Sequence, residues 1–457
     1  MADGVLGAAA AGATDRVAGL WEPHGRRGAQ LRTMAALAAL AVTLPFDLCL
    51  VGLALLRRAP EPAWPKSSRR RTIMLSGGKM TKALLLARSF HLAGHRVVLV
   101  ESTRYRFTGH RFSRAVDAFH CVPDPGDPGY AAALLEVVRW ECVDVFVPVS
   151  SPAASVADAH AKAVLDDVCE VLHAGPELVA ALDDKAEFAC LAKSMGLQVP
   201  HSVRITDARQ VQDFDFPPGR GYILKRIAYN PVGRTHLPRL AADTPEFNSE
   251  YARSLGISER DPWLLQEFVD GQEYCTHSTV RDGQITVYGC CASSAFQVNY
   301  RHADKPEIKR WVQDFVARLR VTGQVSFDFV EGADGHPYAI ECNPRTHSAI
   351  TMFHDHPHVA AAYLHDGHPQ LTPRPRARPT YWIYHELWRL LTQPGRRRRL
   401  ATIARGRDAI FAWWDPLPYL MVHHLQIPAL LLASLRRRKG WSRIDFNIGK
   451  LVATGGD

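Results

Sequence analysis

Two hydrophobic periods divide the chain. Residues 72–76 (TIMLS), 96–101 (RVVLVE) and 144–149 (DVFVPV) are short, nearly continuous apolar runs, the pattern of strands buried on both faces. Between them, helical spacing predicts helices over about 79–94 and near 130–140. This alternation, kept to about residue 175, predicts an α/β region built on a parallel sheet. From residue 176 the pattern changes. A helix carrying Asp183, Asp184 and Lys185 is expected to run to about Leu197. Strands follow at 222–226 (YILKR), 263–268 (WLLQEF), 273–280 and 284–291, then a helix over 306–319 and strands at 324–330 and 337–342. That region reads as α+β, with antiparallel strands outnumbering helices.

The two ends follow neither period. Residues 1–30 are rich in Ala and Gly and read as disordered. Residues 33–56 are apolar over a length that spans a bilayer. Pro45 and Asp47 interrupt the run, and a central Asp costs roughly 3 kcal/mol on insertion scales. The bland reading is a helical hairpin broken near Pro45; contact with a membrane surface and a true span are the alternatives. Beyond the proline-rich stretch 369–379 lies a region holding Trp382, Trp388, Trp413 and Trp414, with a histidine pair at His423–His424. That pair fits either a metal or an ordinary helix surface. Four segments are therefore expected: 1–71, a disordered tail and hydrophobic segment; 72–175, a parallel α/β domain; 176–365, the α+β domain; and 366–457, a basic, aromatic-rich extension.

Composition narrows this little. The 457 residues are 47% hydrophobic and 22% charged, ordinary for a globular protein. The net charge of +9 is uneven: residues 1–72 carry +5, residues 370–457 carry +11, and the middle carries −7. Nucleic acid would call for a basic stripe on the folded body, so nucleic-acid binding is not expected. The nine cysteines are odd in number and hold no C-x-x-C pair. They argue against a zinc site and a disulfide framework and for a reducing, cytoplasmic compartment.

The strongest chemical constellation is Asp328…Glu341-x-Asn343. A short turn, Asp334–His336, separates the two strands, so the carboxylates can meet across an antiparallel pair. Two carboxylates and an amide oxygen form a hard oxygen set of the kind Mg²⁺ takes, with substrate phosphates completing it. Arg345 follows directly and suits a transferring phosphoryl group; a salt bridge to Glu341 is its alternative. Lys225 sits in an apolar strand, where it calls for an anionic partner. Lys185 is either a second phosphate ligand or a helix-surface lysine. Glu267 and Glu273 flank an Asp270-Gly271 turn and could accept hydrogen bonds from a base and a ribose. The Ser76-Gly77-Gly78 turn lacks phosphate-loop spacing and reads as a tight strand-to-helix turn.

Taken in order, Lys185, Lys225, QEFVDGQE (266–273), Asp328 and ECNPR (341–345) resemble the ATP-grasp ligases over about residues 72–365. The resemblance implies an ATP-grasp fold with an N-terminal pre-ATP-grasp domain, and ATP and Mg²⁺ as cofactors. It implies that Lys185 and Lys225 hold phosphates, and that Gln266, Glu267 and the Phe268–Val269 backbone face adenine, with Glu273 on the ribose. It further implies that Asp328, Glu341 and Asn343 hold Mg²⁺, and that Arg345 stabilises the phosphorylated intermediate. One departure is the loop 228–236, which is poorer in Gly than such phosphate-covering loops usually are. A narrower resemblance covers nearly the whole chain. LSGGKMTKALLLARSFHLAGHRVVLVE, QEFVDGQEYCTHSTVRDG, IECNPRTHSAITMF, DPLPYLMVHH and RIDFNIGKLV are similar to the mycosporine-glycine synthase family. Such enzymes join glycine to 4-deoxygadusol with ATP. Substrate-binding candidates are Ser293, Ser294, Asn299 and His347, with His277, Gln297, Thr346 and Ser348 nearby. A homodimer is consistent with the wider resemblance, as is a carboxylate–amine ligase working through an acyl phosphate.

Overall fold

A computed structural model of the chain describes residues 26–149, 152–228, 237–293, 299–438, 440–442 and 452–453. It divides into two compact units. The larger comprises residues 61–106 and 114–377; the smaller comprises 1–60, 107–113 and 378–457.

In the larger unit the apolar runs become β1 (Thr72–Leu75), β2 (Arg96–Ser102), β3 (Ala118–Val122), β4 (Val145–Val147) and β5 (Glu170–Val171). They form one parallel sheet in the order β3-β2-β1-β4-β5. Ile73 lies beside Val97 and Val145, and Met74 beside Val98 and Phe146. The helix Thr81–Leu92 is buried along nearly its whole length, which accounts for its many Ala and Leu residues. The turn before it needs its glycines for steric reasons. Gly77 has φ +67°, and a Cβ on Gly78 would stand 3.0 Å from Leu99 Cγ. Gly78 N–H donates to the Val100 carbonyl and Lys79 N–H to Glu101, so the turn is closed by the protein itself.

Two antiparallel sheets complete the unit. β6 (Ser202–Ile205), β7 (Tyr222–Arg226) and β8 (Trp263–Glu267) form one, in the order β6-β8-β7. β9 (Gly271–Arg281), β10 (Gln284–Ala292), β12 (Gly323–Gly332) and β13 (Pro337–Asn343) form the other, in the order β10-β9-β12-β13; a two-residue strand, β11 (Asn299–Tyr300), lies between β10 and β12 in sequence. The helix Pro306–Arg318 packs its apolar stripe under this sheet. Trp311 stacks on Phe315 at 5.2 Å, and Phe188, Phe327 and Phe329 complete the aromatic cluster.

Three expectations need correction. The helix expected through 183–197 is two helices, Pro176–Asp183 and Lys185–Ser194. Asp184 is extended and caps the second, its carboxylate accepting from Ala186 N–H at 2.8 Å and Glu187 N–H at 3.1 Å. A cap satisfies amide donors that a continuing helix would have paired internally. The hydrophobic segment is not a broken hairpin: one helix runs from Arg26 to Arg57 with Pro45 inside it. That helix also claims residues 26–30 from the tail expected to be disordered; residues 1–25 lie outside the described residues.

In the smaller unit this helix meets Ile383–Thr392 and a C-terminal helical stretch, Leu417–Arg436, which contains one π-helical turn, Val422–Gln426. His424 Nε2 bonds Asp47 at 2.7 Å, and His423 Nδ1 bonds the Tyr419 carbonyl at 2.8 Å. The histidine pair thus has structural partners. None of the nine cysteines forms a disulfide; five are buried and four, Cys49, Cys121, Cys142 and Cys190, are exposed.

Candidate active site

The carboxylates expected to meet do meet. Asp328 on β12 lies directly opposite Glu341 on β13. The register slips just beyond them, where Phe329 pairs with Ala339, leaving Ile340 as an extra residue. Such a bulge re-aims side chains, and here it turns Glu341 to the face shared by Asp328. Burial, then the neighbouring charges of Glu341 and Glu273, push the Asp328 carboxyl up to about 7. Asn343 Nδ2 donates to Asp328 at 3.4 Å, and its amide oxygen accepts from Arg345.

Arg345 is held from a side that sequence did not reveal. Its guanidinium donates to Asp183 at 2.9 Å, the last residue of the helix Pro176–Asp183. Lys185, two residues on, places its ammonium 3.8 Å from Glu341 and 3.5 Å from the Ile227 carbonyl. It faces the carboxylates rather than solvent. The loop carrying Arg345 is pinned on both sides. Ser155 donates to the Pro344 carbonyl at 2.7 Å, and Lys82 Nζ donates to the Thr346 carbonyl. The Thr346 hydroxyl then joins Gln324, whose Oε1 also accepts from Tyr363. Two helices that follow strands of the parallel sheet, Thr81–Leu92 and Pro152–Leu165, therefore fix the NPRT loop.

β7 and β8 supply the other wall. Lys225 donates to Gln266 Oε1 at 2.7 Å. Burial draws its pKa down, while Glu341, Glu273 and Asp328 work in the opposite sense. Gln266 is buried, and its side chain reaches Lys225 and Ser202. Glu267 accepts from Arg220 at 3.1 Å. Phe268 N–H donates to the Gly221 carbonyl. The Arg239 guanidinium lies 5.3 Å over the Phe268 ring. Glu273 is exposed at the start of β9.

The substrate candidates divide. Ser293 is half-buried, its N–H bonded to the Glu273 carbonyl. His347 caps a short 3₁₀ turn, its Nδ1 accepting from Ala349 N–H at 3.2 Å, and stands edge-on to Tyr300. Its backbone N–H donates to His277 Nδ1 at 3.3 Å. Burial, reinforced by His347 and Lys82, holds His277 well below the usual histidine range and hence neutral. Asn299 lies on β11. Ser294 and Gln297 lie outside the described residues, as do 229–236 of the suggested phosphate loop.

Among the described residues no group of three or more His, Cys, Asp or Glu side chains gathers as a metal set; the candidate set is two carboxylates and an amide. Those donors fit a hard divalent cation. Burial is the main cause of the raised Asp328 carboxyl, and the repulsion from Glu341 and Glu273 that adds to it is what such a cation would relieve.

The architecture has known counterparts. Phosphoribosylamine–glycine ligase from Thermotoga maritima superposes with a TM-score of 0.50 at 14% identity, covering 67% of this chain and 78% of that one. The chain has the ATP-grasp fold. N5-carboxyaminoimidazole synthetase from Staphylococcus aureus is similar over 64% of this chain and 75% of its own, at 15% identity and TM-score 0.49. L-amino acid ligase from Bacillus licheniformis covers 62% and 69%, at 16% identity and 0.48. In sequence, 194 residues are 22% identical to the carbamoyl phosphate synthase large chain of Gemmatimonas aurantiaca; this is 38% of the chain and 17% of that relative. No family model matches.

Proposed function

We propose that this protein is an ATP-dependent C–N ligase that joins glycine to 4-deoxygadusol. One observation carries the ligase part. Asp328, Glu341, Asn343, Arg345, Lys185 and Lys225 converge from five elements on an ATP-grasp fold. The choice of glycine and a cyclic enol rests on the sequence resemblance to mycosporine-glycine synthases.

On this reading Asp328, Glu341 and Asn343 hold Mg²⁺, which offsets phosphate charge. Lys185 and Lys225 bind ATP phosphates, which would give half-buried Lys225 a directly bonded anion beside its Gln266 contact. Val269 N–H and the Phe268 carbonyl take the adenine edge, Gln266 and Glu267 border it, and Glu273 reaches the ribose. 4-Deoxygadusol is a vinylogous acid whose enolic oxygen leaves poorly. Transfer of the γ-phosphoryl group to that oxygen forms an O–P bond, breaks the bond to ADP and creates a leaving group. Arg345 stabilises the charge that spreads over the moving group. The glycine nitrogen then adds at the same carbon, loses a proton, and phosphate departs, leaving an enaminone. Ser293, Ser294, Asn299 and His347 are the candidates for orienting the two substrates. ATP as co-substrate and nine cysteines outside any disulfide are consistent with a cytoplasmic setting.

The purified chain with Mg-ATP, 4-deoxygadusol and glycine should release ADP in step with a red-shifted absorption band. Asp328→Ala and Glu341→Ala should abolish both signals. ADP release with amino-acid pairs and none with the enol would replace this reading with a carboxylate–amine ligase using an acyl phosphate.

A further inference from the structure

The helix Arg26–Arg57 carries its polarity on the inside. Its buried seam is Thr33, Leu40, Asp47, Val51 and Ala54, in steps of seven, seven, four and three. Asp47 is the one charged residue between Arg32 and Arg57, and it lies in that seam. Its carboxylate accepts from the Tyr384 hydroxyl at 2.5 Å and from His424 at 2.7 Å. Burial raises the Asp47 pKa, and those hydrogen bonds together with the charges of His423 and His424 more than offset the rise. Thr33 accepts from the Trp441 indole at 2.9 Å. The outer side is apolar. Leu31, Met34 and Leu53 are exposed, as are Val42 at 69%, Phe46 at 73% and Leu56 at 83%. The stripe from Leu31 to Leu56 is roughly 38 Å long at helical rise. Monomeric soluble proteins rarely leave such a surface bare.

Charge indicates the occupant. The smaller unit holds 21 Lys and Arg against 9 Asp and Glu, net +12, while the larger holds 34 against 37, net −3. Arginines stand at both ends of the apolar run (Arg32, Arg57, Arg58), and the same unit carries Arg396–Arg399 and Arg436–Arg438. A partner both apolar and negatively charged suits this unit. We propose that the outer face of this helix lies in the headgroup–acyl boundary of an anionic phospholipid bilayer, with its axis in the membrane plane.

The packing favours lying over spanning. Gly28–Arg57 and Leu417–Arg436 are both long and apolar enough to cross a membrane. Residues 107–113, however, lie against the middle of the second helix. Gly109 N–H and the Thr108 hydroxyl donate to Gln426 at 2.7 and 3.2 Å, and a Cβ on Gly109 would stand 2.3 Å from Val422 N. Arg111 in that segment is exposed. A single 3₁₀ turn, Gly109–Phe112, with an exposed arginine does not sit at hydrocarbon depth. The first helix is tied to the second through Asp47 and His424, so only its outer face is left for lipid.

Co-sedimentation of the full chain with vesicles tests this. Binding to vesicles of phosphatidylcholine with one-third phosphatidylglycerol is expected. It should weaken about tenfold or more on neutral vesicles, in high salt, or after substituting Arg396–Arg399 with Gln. Val42→Glu with Phe46→Glu should abolish it while leaving the melting temperature unchanged. Equal recovery with and without vesicles would overturn the proposal. So would a concentration-dependent oligomer that ignores lipid, which would assign the face to a second copy. Resistance to alkaline carbonate together with protease protection of one terminus would overturn it in favour of a span. None of these outcomes depends on the ligase reading.

Discussion

Asp183 shows how much can rest on a side chain that sequence gives no reason to notice. It takes no part in the proposed metal set, yet it holds the guanidinium of Arg345 at 2.9 Å. Asp183→Ala should lower kcat by about ten- to a hundredfold through misplacement, with KM for ATP little changed; steady-state kinetics would check the split. Asp158 offers a test of pH dependence. Burial lifts its carboxyl to about 7, with Glu101 adding to the rise; hydrogen bonds from Tyr130 and Ser76 pull the other way. A raised native pKa means the folded state keeps a proton that the unfolded state has lost. Asp158 therefore costs stability progressively as pH rises from about 4 to 7, and the cost is constant above that. Denaturation midpoints of Asp158→Asn should fall less across that window than those of the native protein; parallel curves would contradict the assignment. Asp328, Glu341, Asn343 and Arg345 were legible because strand alternation and a short turn dictate which side chains face each other. Asp183 was not, since its partner is 162 residues away.

At the scale of elements, most boundaries followed from apolar period, and the misses have physical causes. The break at Asp184 had a signal: an acid three residues before Glu187 is capping-box spacing, masked by the apolar period on either side. As a result, three consecutive residues act differently. Asp183 holds Arg345, Asp184 caps, and Lys185 faces Glu341. The continuous helix through Pro45 was hidden for another reason. Both faces of residues 31–56 are apolar, so periodicity alone could not say which is buried; Tyr384 and His424, which decide it, are 337 and 377 residues away. Gly109 is a contact sensitive to added bulk. Gly109→Ala would press a methyl into the Met421–Val422 backbone, which cannot move as a side-chain tip can. A loss of about 1–3 kcal/mol is expected, read as a lower denaturation midpoint. Trp311→Ala, which empties the aromatic cluster under the antiparallel sheet, should cost about 3–5 kcal/mol in the same measurement.

Over the whole molecule, charge and topology divide along one line. The net −3 unit carries the candidate active site, and the net +12 unit carries the inverted helix. Sequence alone located the basic ends and the apolar segment; it did not reveal that they fold together with residues 107–113. Because Val42 and Phe46 are exposed, acidic substitutions there should alter stability by no more than about 0.5 kcal/mol and should raise recovery of the protein from buffer without detergent. The three-segment make-up of this unit also bears on how it is made. The helix holding Asp47 leaves the ribosome first, but His424 follows 377 residues later. At about 5–20 residues per second, that is a wait of roughly 20 to 80 seconds. Throughout it, the nascent chain displays a long apolar helix with an uncovered carboxylate in its middle. A lipid surface or a holding chaperone met during that interval would act on the segment before its own partner exists.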